Sequence, residues 1–249
     1  MNLLLDLGNS RLKWVCVENE QFSPVQSLPN SQLTCPALIS LWEHLKPQKI
    51  AISCVGNGQL LQMIHAAIAQ LWGDISPYLA TSTKQACDVS NSYLQPEKLG
   101  VDRFLALIAA RQKTALHVCV VDCGTAITVD VLNEAGEHQG GLICAGLSLM
   151  KKSLALNTAD LPLVDTPAKV ELSRNTQAAI FNGTLLAACG LIEKVMQQLP
   201  KNTKLFLTGG DAAQISSQLN CPFFLEPNLV LQGLNALAFQ TVTTPKVSA

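Results

Sequence analysis

The sequence predicts an α/β protein made of two similar halves, because one strand–turn–strand pattern occurs twice. In each copy an apolar run ends in an aspartate, a glycine follows two positions later, and a second β-rich run comes next. The first copy is built around Asp6-Leu-Gly8-Asn9-Ser10 and the second around Asp122-Cys-Gly124-Thr125. Glycine and asparagine tolerate the positive φ angles of tight turns. A repeated hairpin of this kind indicates an internal duplication.

The elements of the first half follow the order β-β-β-α-β-α-β-α. Apolar residues at helical spacing, from Leu33 to Leu45, predict its first helix, which ends at Lys46-Pro47. We expect strands at 2–6, 10–18, 22–28, 49–55 and 77–80, helices at 32–45, 57–73 and from 102 onward, and a polar loop at 81–99.

The second half repeats this order of elements. We expect strands at 117–123, 126–133, 138–144, 204–208 and 222–225, helices at 146–156, 175–199, 211–219 and 228–240, a loop at 157–173 and a frayed tail at 241–249. The boundary between the halves is predicted near 114–116. The predicted domains are therefore an N-terminal domain at 1–115 and a C-terminal domain at 116–249.

Composition excludes several classes of protein. The net charge of the 249 residues is −1 and no basic cluster occurs, which argues against a nucleic-acid or anionic-membrane surface. The nine cysteines are scattered without a C-x-x-C pair and the four histidines are isolated, so we expect reduced thiols and no zinc site. The N-terminus lacks a basic segment and the longest charge-free stretch, 175–192, is too polar for a membrane span. We expect a cytoplasmic protein without a membrane or nucleic-acid partner.

The two Asp-x-Gly hairpins are the first candidate site. Each offers a carboxylate and turn amides, and the first adds Asn9, Ser10 and Lys13. Two such hairpins could hold a polyphosphate with Mg²⁺, which usually takes only one or two carboxylates from the protein. A single Asp-x-Gly sequence is more often an ordinary turn between strands. The phosphate-loop motif G-x-x-x-x-G-K-[ST] is absent, and Gly56-Asn-Gly58 has two of the three glycines of a dinucleotide fingerprint.

Gly100-Val101-Asp102-Arg103 is the second candidate. It is either a plain helix N-terminus or an aspartate that accepts a hydroxyl proton, next to an arginine that could hold a carboxylate or a phosphate. A carboxylate is a weak base, but it suffices for phosphoryl transfer, whose loose transition state needs the hydroxyl mainly to be oriented. Gly209-Gly210-Asp211 and Gly140-Gly141 to Gly146 allow close approach of a ligand, or are simple turns.

Six motifs together resemble the type III pantothenate kinase family. They are DLGNSRLK at 6–13, GVDR at 100–103, DCGTAITVD at 122–130, GGLICAG at 140–146, RNTQAAIFNG at 174–183 and LTGGDA at 207–212. The resemblance implies an α/β fold of two duplicated ribonuclease-H-like domains around a nucleotide cleft, as in the actin-like ATPases. It also implies ATP, Mg²⁺ and a monovalent cation (K⁺ or NH₄⁺) as cofactors, and a homodimer.

The resemblance also implies a role for each matching residue. Asp102 would be the catalytic base, Asp6 would lie on or near Mg²⁺, and Asp122 would bind the monovalent cation. ATP would contact Asp6, Leu7, Gly8, Asn9, Ser10, Arg11, Leu12, Lys13 and Thr125. Pantothenate would contact Tyr93, Gly100, Val101, Asp102, Arg103 and Thr176, the last of these across the dimer interface. Ala145 replaces the usual proline of the GG-x-I-x-PG stretch, which concerns the stiffness of that loop.

The predicted activity is ATP-dependent phosphorylation of pantothenate to 4'-phosphopantothenate, the first step of coenzyme A biosynthesis. Two alternatives remain open at this point. One is another small-molecule kinase of the same fold, such as a sugar kinase, and the other is a non-catalytic nucleotide-binding regulator. Asp102 beside intact phosphate loops favours catalysis, and the near-neutral net charge disfavours direct DNA binding.

Overall fold

The computed structural model describes residues 1–56, 58–166 and 168–239. The described residues form two compact units, the first comprising 1–114 and 228–239 and the second comprising 115–227. The predicted helix start at Asn57 and the predicted tail at 241–249 lie outside the described residues.

The order of the elements follows the prediction, except that two short strands, at 21–22 and 26–29, replace the predicted strand at 22–28, and that a further hairpin occurs within the predicted loop at 81–99. Before residue 115 they are β1 (Asn2–Leu7), β2 (Arg11–Glu18), β3 (Gln21–Phe22), β4 (Gln26–Pro29), α1 (Cys35–Trp42), β5 (Lys49–Cys54), α2 (Gly58–Leu71), β6 (Tyr78–Leu79), β7 (Gln85–Ala86), β8 (Val89–Ser90) and α3 (Val101–Lys113). After it they are β9 (Val118–Cys123), β10 (Ala126–Leu132), β11 (His138–Ala145), α4 (Leu147–Asn157), α5 (Thr176–Met196), β12 (Lys204–Thr208), α6 (Ala212–Ser216), β13 (Phe224–Leu225) and α7 (Leu229–Phe239).

The two main sheets share one topology. In the first unit the order is β3-β2-β1-β5-β6, with β4 also paired to β2, and in the second it is β11-β10-β9-β12-β13. In both, the opening hairpin is antiparallel and the next two strands are added in parallel (β1/β5/β6 and β9/β12/β13). The predicted duplication is therefore present in the strand order.

Each unit has its own hydrophobic core, formed by the apolar faces of its strands and helices. The core of the first unit includes Trp42, which is fully buried between the rings of Trp14 and Trp72, at centroid distances of 5.9 and 6.4 Å. The core of the second unit is formed by β9, β10 and β12 with the buried side of α5. These cores fix the hairpins that follow β1 and β9, because both strands are almost entirely buried.

The last helix corrects the predicted domain assignment. We expected α7 in a C-terminal domain at 116–249, but it belongs to the first unit, where it packs against α3, β1 and β5. The contact with α3 is so close that a Cβ added at Gly233 would overlap the backbone of Leu105. The helical pattern of 229–239 gave no information about which sheet the helix would cover.

The predicted polar loop at 81–99 contains an additional hairpin. Strands β7 and β8 pair in antiparallel fashion through a turn in which Cys87 and Asp88 have φ values of +48° and +60°. Two consecutive residues with positive φ are typical of a type I′ turn, which usually contains asparagine or glycine. The sequence pattern did not predict this hairpin, because cysteine occupies the first turn position.

Helix α5 is long and apolar. Its 21 residues are long and apolar enough to cross a membrane by length and composition, although we predicted that this stretch is too polar. Ile180, Phe181, Leu185 and Ile192 nevertheless lie in the core of the second unit. Packing in that core therefore accounts for the apolar side chains on this side of α5.

The nine cysteines are all free thiols, as predicted. Cys119, Cys123 and Cys189 are buried, and the other six are half-buried. Burial raises the pKa of Cys119 to about 12 and that of Cys189 to about 11. These thiols are protonated at neutral pH and are poor nucleophiles.

Candidate active site

The first hairpin is a short loop between β1 and β2 whose geometry is fixed by backbone hydrogen bonds. Asp6 lies directly opposite Lys13 in the antiparallel register. Gly8 N donates to Arg11 O at 3.1 Å and closes the turn. From outside the loop, the side-chain amide of Asn30 donates to Gly8 O and Asn9 O at 2.9 and 3.0 Å. The loop therefore presents a defined set of backbone groups to a ligand.

Asp6 is the carboxylate of this loop and its environment is unusual. The residue is only 8% exposed, and its Oδ1 has no hydrogen-bond partner among the described residues. Burial raises the pKa of Asp6 to about 6, the charge of Lys13 lowers it, and the charge of Asp102 raises it. A buried carboxylate oxygen without a partner is costly unless a cation or a donor binds it. Asp6 is therefore suited to hold a metal ion.

The other predicted members of the first phosphate loop differ in exposure. Asn9, Ser10 and Arg11 are exposed, whereas Leu7 and Leu12 are completely buried, so only the backbone of these two leucines can contact a nucleotide. The guanidinium of Arg11 donates to Ser27 Oγ at 2.9 Å.

Asp102 lies in the first turn of α3, with Gly100 at the N-cap. Its Oδ1 accepts a hydrogen bond from Arg103 N at 2.8 Å. A Cβ at Gly100 would lie 2.6 Å from the same oxygen, so a larger residue at this position would displace the Asp102 carboxylate. In the folded first unit Asp102 lies within electrostatic range of Asp6, and its charge raises the pKa of Asp6. The spacing of the two motifs in the sequence did not predict this proximity.

Arg103 and Tyr93 form the neighbouring part of the site. Arg103 is 7% exposed, and its Nη1 donates to the hydroxyl of Tyr93 at 2.8 Å. The backbone N–H of Tyr93 donates to Asn91 Oδ1 at 3.0 Å. A tyrosine and an arginine held together in this way can bind a carboxylate or hydroxyl of a small acceptor.

A cavity that sequence reasoning missed lies beside the first hairpin. Its volume is about 660 Å³ and it is lined by Asn9, Val55, Gly56, Gly58, Gln59 and Gln62. Gly56 has a φ of +93°, and a Cβ there would lie 3.6 Å from Asn9 Oδ1. The Gly56-Asn-Gly58 sequence was a signal for it, but we interpreted that sequence only as the start of a helix.

The second hairpin lies between β9 and β10 and is fixed from two sides. Gly124 N donates to Ala126 O at 3.1 Å, and Gly146 N donates to Thr125 O at 2.9 Å. Gly209 has a φ of +93°, and a Cβ there would overlap the carboxylate of Asp122. The Asp122 carboxylate is half-buried and Thr125 is exposed, so both side chains can reach a ligand.

Thr176 is the first residue of α5 and is exposed. Asn175 caps this helix by accepting a hydrogen bond from Ala178 N at 2.9 Å. The buried Asn182 donates to Lys169 O and Glu171 O at 2.8 and 2.9 Å, and so fixes the segment that leads into the cap.

No group of three or more histidine, cysteine, aspartate or glutamate side chains suited to a metal ion occurs in the described ranges. The candidate cation sites therefore consist of single carboxylates with nearby backbone and ligand oxygens. This arrangement fits Mg²⁺ bound mainly through nucleotide phosphates and water.

Comparisons with known proteins identify the family. Residues 2–198 match the family model of type III pantothenate kinase. The chain belongs to the type III pantothenate kinase family. A type III pantothenate kinase of Nitrosococcus oceani is 34% identical, over 97% of this chain and 95% of its own length. That of Herminiimonas arsenicoxydans is 36% identical, over 98% of this chain and all of its own length (100%).

Solved structures agree with the fold of the family. A Campylobacter jejuni protein described as a Baf family transcriptional activator has a TM-score of 0.63 at 22% identity, covering 94% of this chain and 96% of its own. Component A of an Acidaminococcus fermentans (R)-2-hydroxyglutaryl-CoA dehydratase has a TM-score of 0.53 at 12% identity, covering 95% of each chain. At such identities the likeness shows the fold alone, and the predicted duplicated actin-like ATPase fold is confirmed.

Proposed function

We propose that this kinase transfers the γ-phosphoryl group of ATP to the primary hydroxyl of pantothenate, giving 4'-phosphopantothenate for coenzyme A synthesis. Family membership supports the reaction, and one structural observation supports where it takes place. Asp6, buried with an unpartnered oxygen, and Asp102 lie within electrostatic range of each other, next to the Tyr93–Arg103 pair. The two carboxylates have different environments, so one is suited to bind a cation and the other to accept a proton.

In this proposal the residues of the first unit divide the reaction between them. Asp102 orients the acceptor hydroxyl and accepts its proton, since the loose transition state requires little basicity. Lys13 and the backbone of the loop from Gly8 to Ser10 bind phosphate oxygens. Arg103 and Tyr93 bind the carboxylate of pantothenate. Mg²⁺, held by Asp6, would neutralise charge on the polyphosphate.

In the second unit we assign the monovalent cation to Asp122 and an ATP-phosphate contact to Thr125. Asp122 lies opposite Thr128 in the hairpin, whereas Asp6 lies opposite a lysine. A carboxylate without a lysine in register suits a weakly bound monovalent ion such as K⁺ or NH₄⁺. We also assign the exposed Thr176 to a pantothenate contact supplied to the partner copy of a cytoplasmic homodimer.

Exposed apolar side chains support the homodimer. Ile143 on β11 is 63% exposed, Leu156 on α4 is 82% exposed and Leu186 on α5 is 46% exposed. At Gly183 and Gly190 an added Cβ would meet no atom of the described chain within 4 Å. A second copy of the chain would cover such exposed apolar side chains.

A coupled ADP-release assay tests the proposal. Pantothenate should support turnover, with potassium increasing it, and N-acetylglucosamine and glycerol should not. Asp102→Asn should abolish turnover and leave ATP binding intact, and Asp74→Asn, at an exposed position of the first unit, should change neither. Turnover with a sugar but not with pantothenate, or near-normal turnover of the Asp102 variant, would contradict the assignment.

A further inference from the structure

Two asparagine side chains each hold one loop of the candidate site, and neither belongs to the motifs that identified the family. Asn30 follows β4 and contacts the loop that carries Asn9 and Ser10. Asn91 follows β8 and contacts the segment that carries Tyr93 and leads to Gly100. Both lie in the first unit.

The hydrogen bonds of Asn91 connect three points of the chain. Its Nδ2 donates to Pro96 O at 2.9 Å and to Thr83 O at 3.3 Å, and its Oδ1 accepts from Tyr93 N at 3.0 Å. The backbone of Asn91 pairs with Lys84, whose Nζ donates to Asn91 O at 3.0 Å. The residue is 1% exposed. Its amide thus ties the segment before the β7–β8 hairpin to the segment after it.

Asn91 is connected to the ligand-facing groups through the residues that it holds. Asn91 holds Tyr93 through the backbone N–H of Tyr93. The hydroxyl of Tyr93 in turn accepts a hydrogen bond from the guanidinium of Arg103. Pro96, which is held through its carbonyl, begins the 3₁₀ turn Pro96–Lys98 just before the N-cap of α3. The Asn91 amide therefore holds both ends of the segment between Tyr93 and the 3₁₀ turn before the N-cap.

Asn30 serves the first hairpin in the same manner. Its Nδ2 donates to both Gly8 O and Asn9 O, and its backbone N donates to Ser10 O at 2.9 Å. Three consecutive carbonyls of the loop therefore point toward Asn30. With its carbonyls directed there, the loop is held in one conformation, which removes the cost of ordering it when a ligand binds.

We infer that Asn30 and Asn91 are positioning residues with separate tasks, Asn30 for the nucleotide loop and Asn91 for the acceptor loop. The inference rests on the proposed function, because it takes ATP as the ligand of the first loop and pantothenate as the ligand of the second. Neither side chain needs to touch a substrate. Each acts through the backbone groups that it holds.

Crossed kinetics test this division. Asn91→Asp keeps the shape and the acceptor for Tyr93 N but removes both donors, so KM for pantothenate should rise about ten- to a hundredfold while KM for ATP stays within about twofold. Asn30→Ala should give the reverse pattern. Asn133→Ala is the matched control, because Asn133 also closes a turn but lies in the second unit. Its Nδ2 donates to Glu137 Oε2 at 2.7 Å, and its Oδ1 accepts from Glu137 N at 2.9 Å. This control should change neither KM.

A double-mutant cycle separates positioning from general destabilisation. If Asn91 acts through Tyr93, the effects of Asn91→Asp and Tyr93→Phe on KM for pantothenate should not add in the double variant. Asn91→Ser replaces Asn91→Asp if the latter does not fold. Equal shifts of both KM values, no shift in either, or strictly additive effects would overturn the inference. Absence of wild-type turnover with pantothenate would instead refute the proposed function.

Discussion

Replacing Asp6 by asparagine should stabilise the ligand-free protein at neutral pH and inactivate it. Asp6 is 8% exposed, and burial raises its pKa from 3.8 to about 6. A raised carboxyl pKa means that the folded state holds the proton more tightly than the unfolded chain does. Stability therefore falls as pH rises through the interval between the two pKa values, and stays lower above it. A difference of about two pH units corresponds to about 3 kcal/mol.

Urea and thermal unfolding at pH 4, 6 and 8 measure this effect. The asparagine variant should match the wild type near pH 4 and exceed it at pH 8 by up to about 3 kcal/mol, or about 6–12 °C in Tm. Asp74→Asn, at an exposed position of the same unit, is the control and should show no such pH-dependent gain. Mg²⁺ with ATP should stabilise the wild type and not the Asp6 variant. A variant less stable than the wild type at pH 8, or a difference that does not change with pH, would refute the reasoning.

Two further substitutions test the second unit. Gly209→Ala should destabilise the protein by at least about 1–2 kcal/mol and raise KM for ATP, because φ is +93° and the added Cβ would overlap the Asp122 carboxylate. Thermal unfolding and kinetics measure this, with Gly210→Ala as control, since a Cβ there would meet no atom of the described residues within 4 Å. Lys151→Met should raise the pKa of Asp211 further, because burial already raises that pKa and the charge of Lys151 lowers it. Carboxyl NMR titration measures the change, the exposed Lys152→Met is the control, and an unchanged pKa of Asp211 would contradict the prediction.

Local patterns predicted most of the fold because they depend on residues close together in the chain. The two hairpins end as expected, since an apolar strand followed by Asp-x-Gly has few alternatives. The position of α7 could not be predicted in this way, because a helical pattern shows which side is apolar and not what covers it. Gly233 was the one available signal, since a glycine inside a helix often marks close approach of another backbone.

The candidate site was predictable in its parts and not in its connections. The motifs identified Asp6, Asp102 and Arg103 individually. They did not show that Asp6 has a buried oxygen without a hydrogen-bond partner among the described residues, because this depends on how β1 is covered in the folded unit. They also did not show that Asn30 and Asn91 support the loops, since asparagine is common in turns and its partners are far along the chain or hidden in an unrecognised hairpin.

The duplicated hairpins differ in their physical properties, and the difference bears on the ion that we propose for each. Asp6 is 8% exposed, lies opposite Lys13 and has a pKa raised to about 6. Asp122 is half-buried, lies opposite Thr128, and packs against the backbone of Gly209. A divalent ion gains most where an unpartnered carboxylate is buried, because the desolvation cost is then offset by a strong charge. A monovalent ion offsets less of the desolvation cost, so it suits the more solvated carboxylate. We therefore expect Asp6→Asn to abolish activity and stabilisation by Mg²⁺ with ATP, and Asp122→Asn to remove mainly the response to potassium.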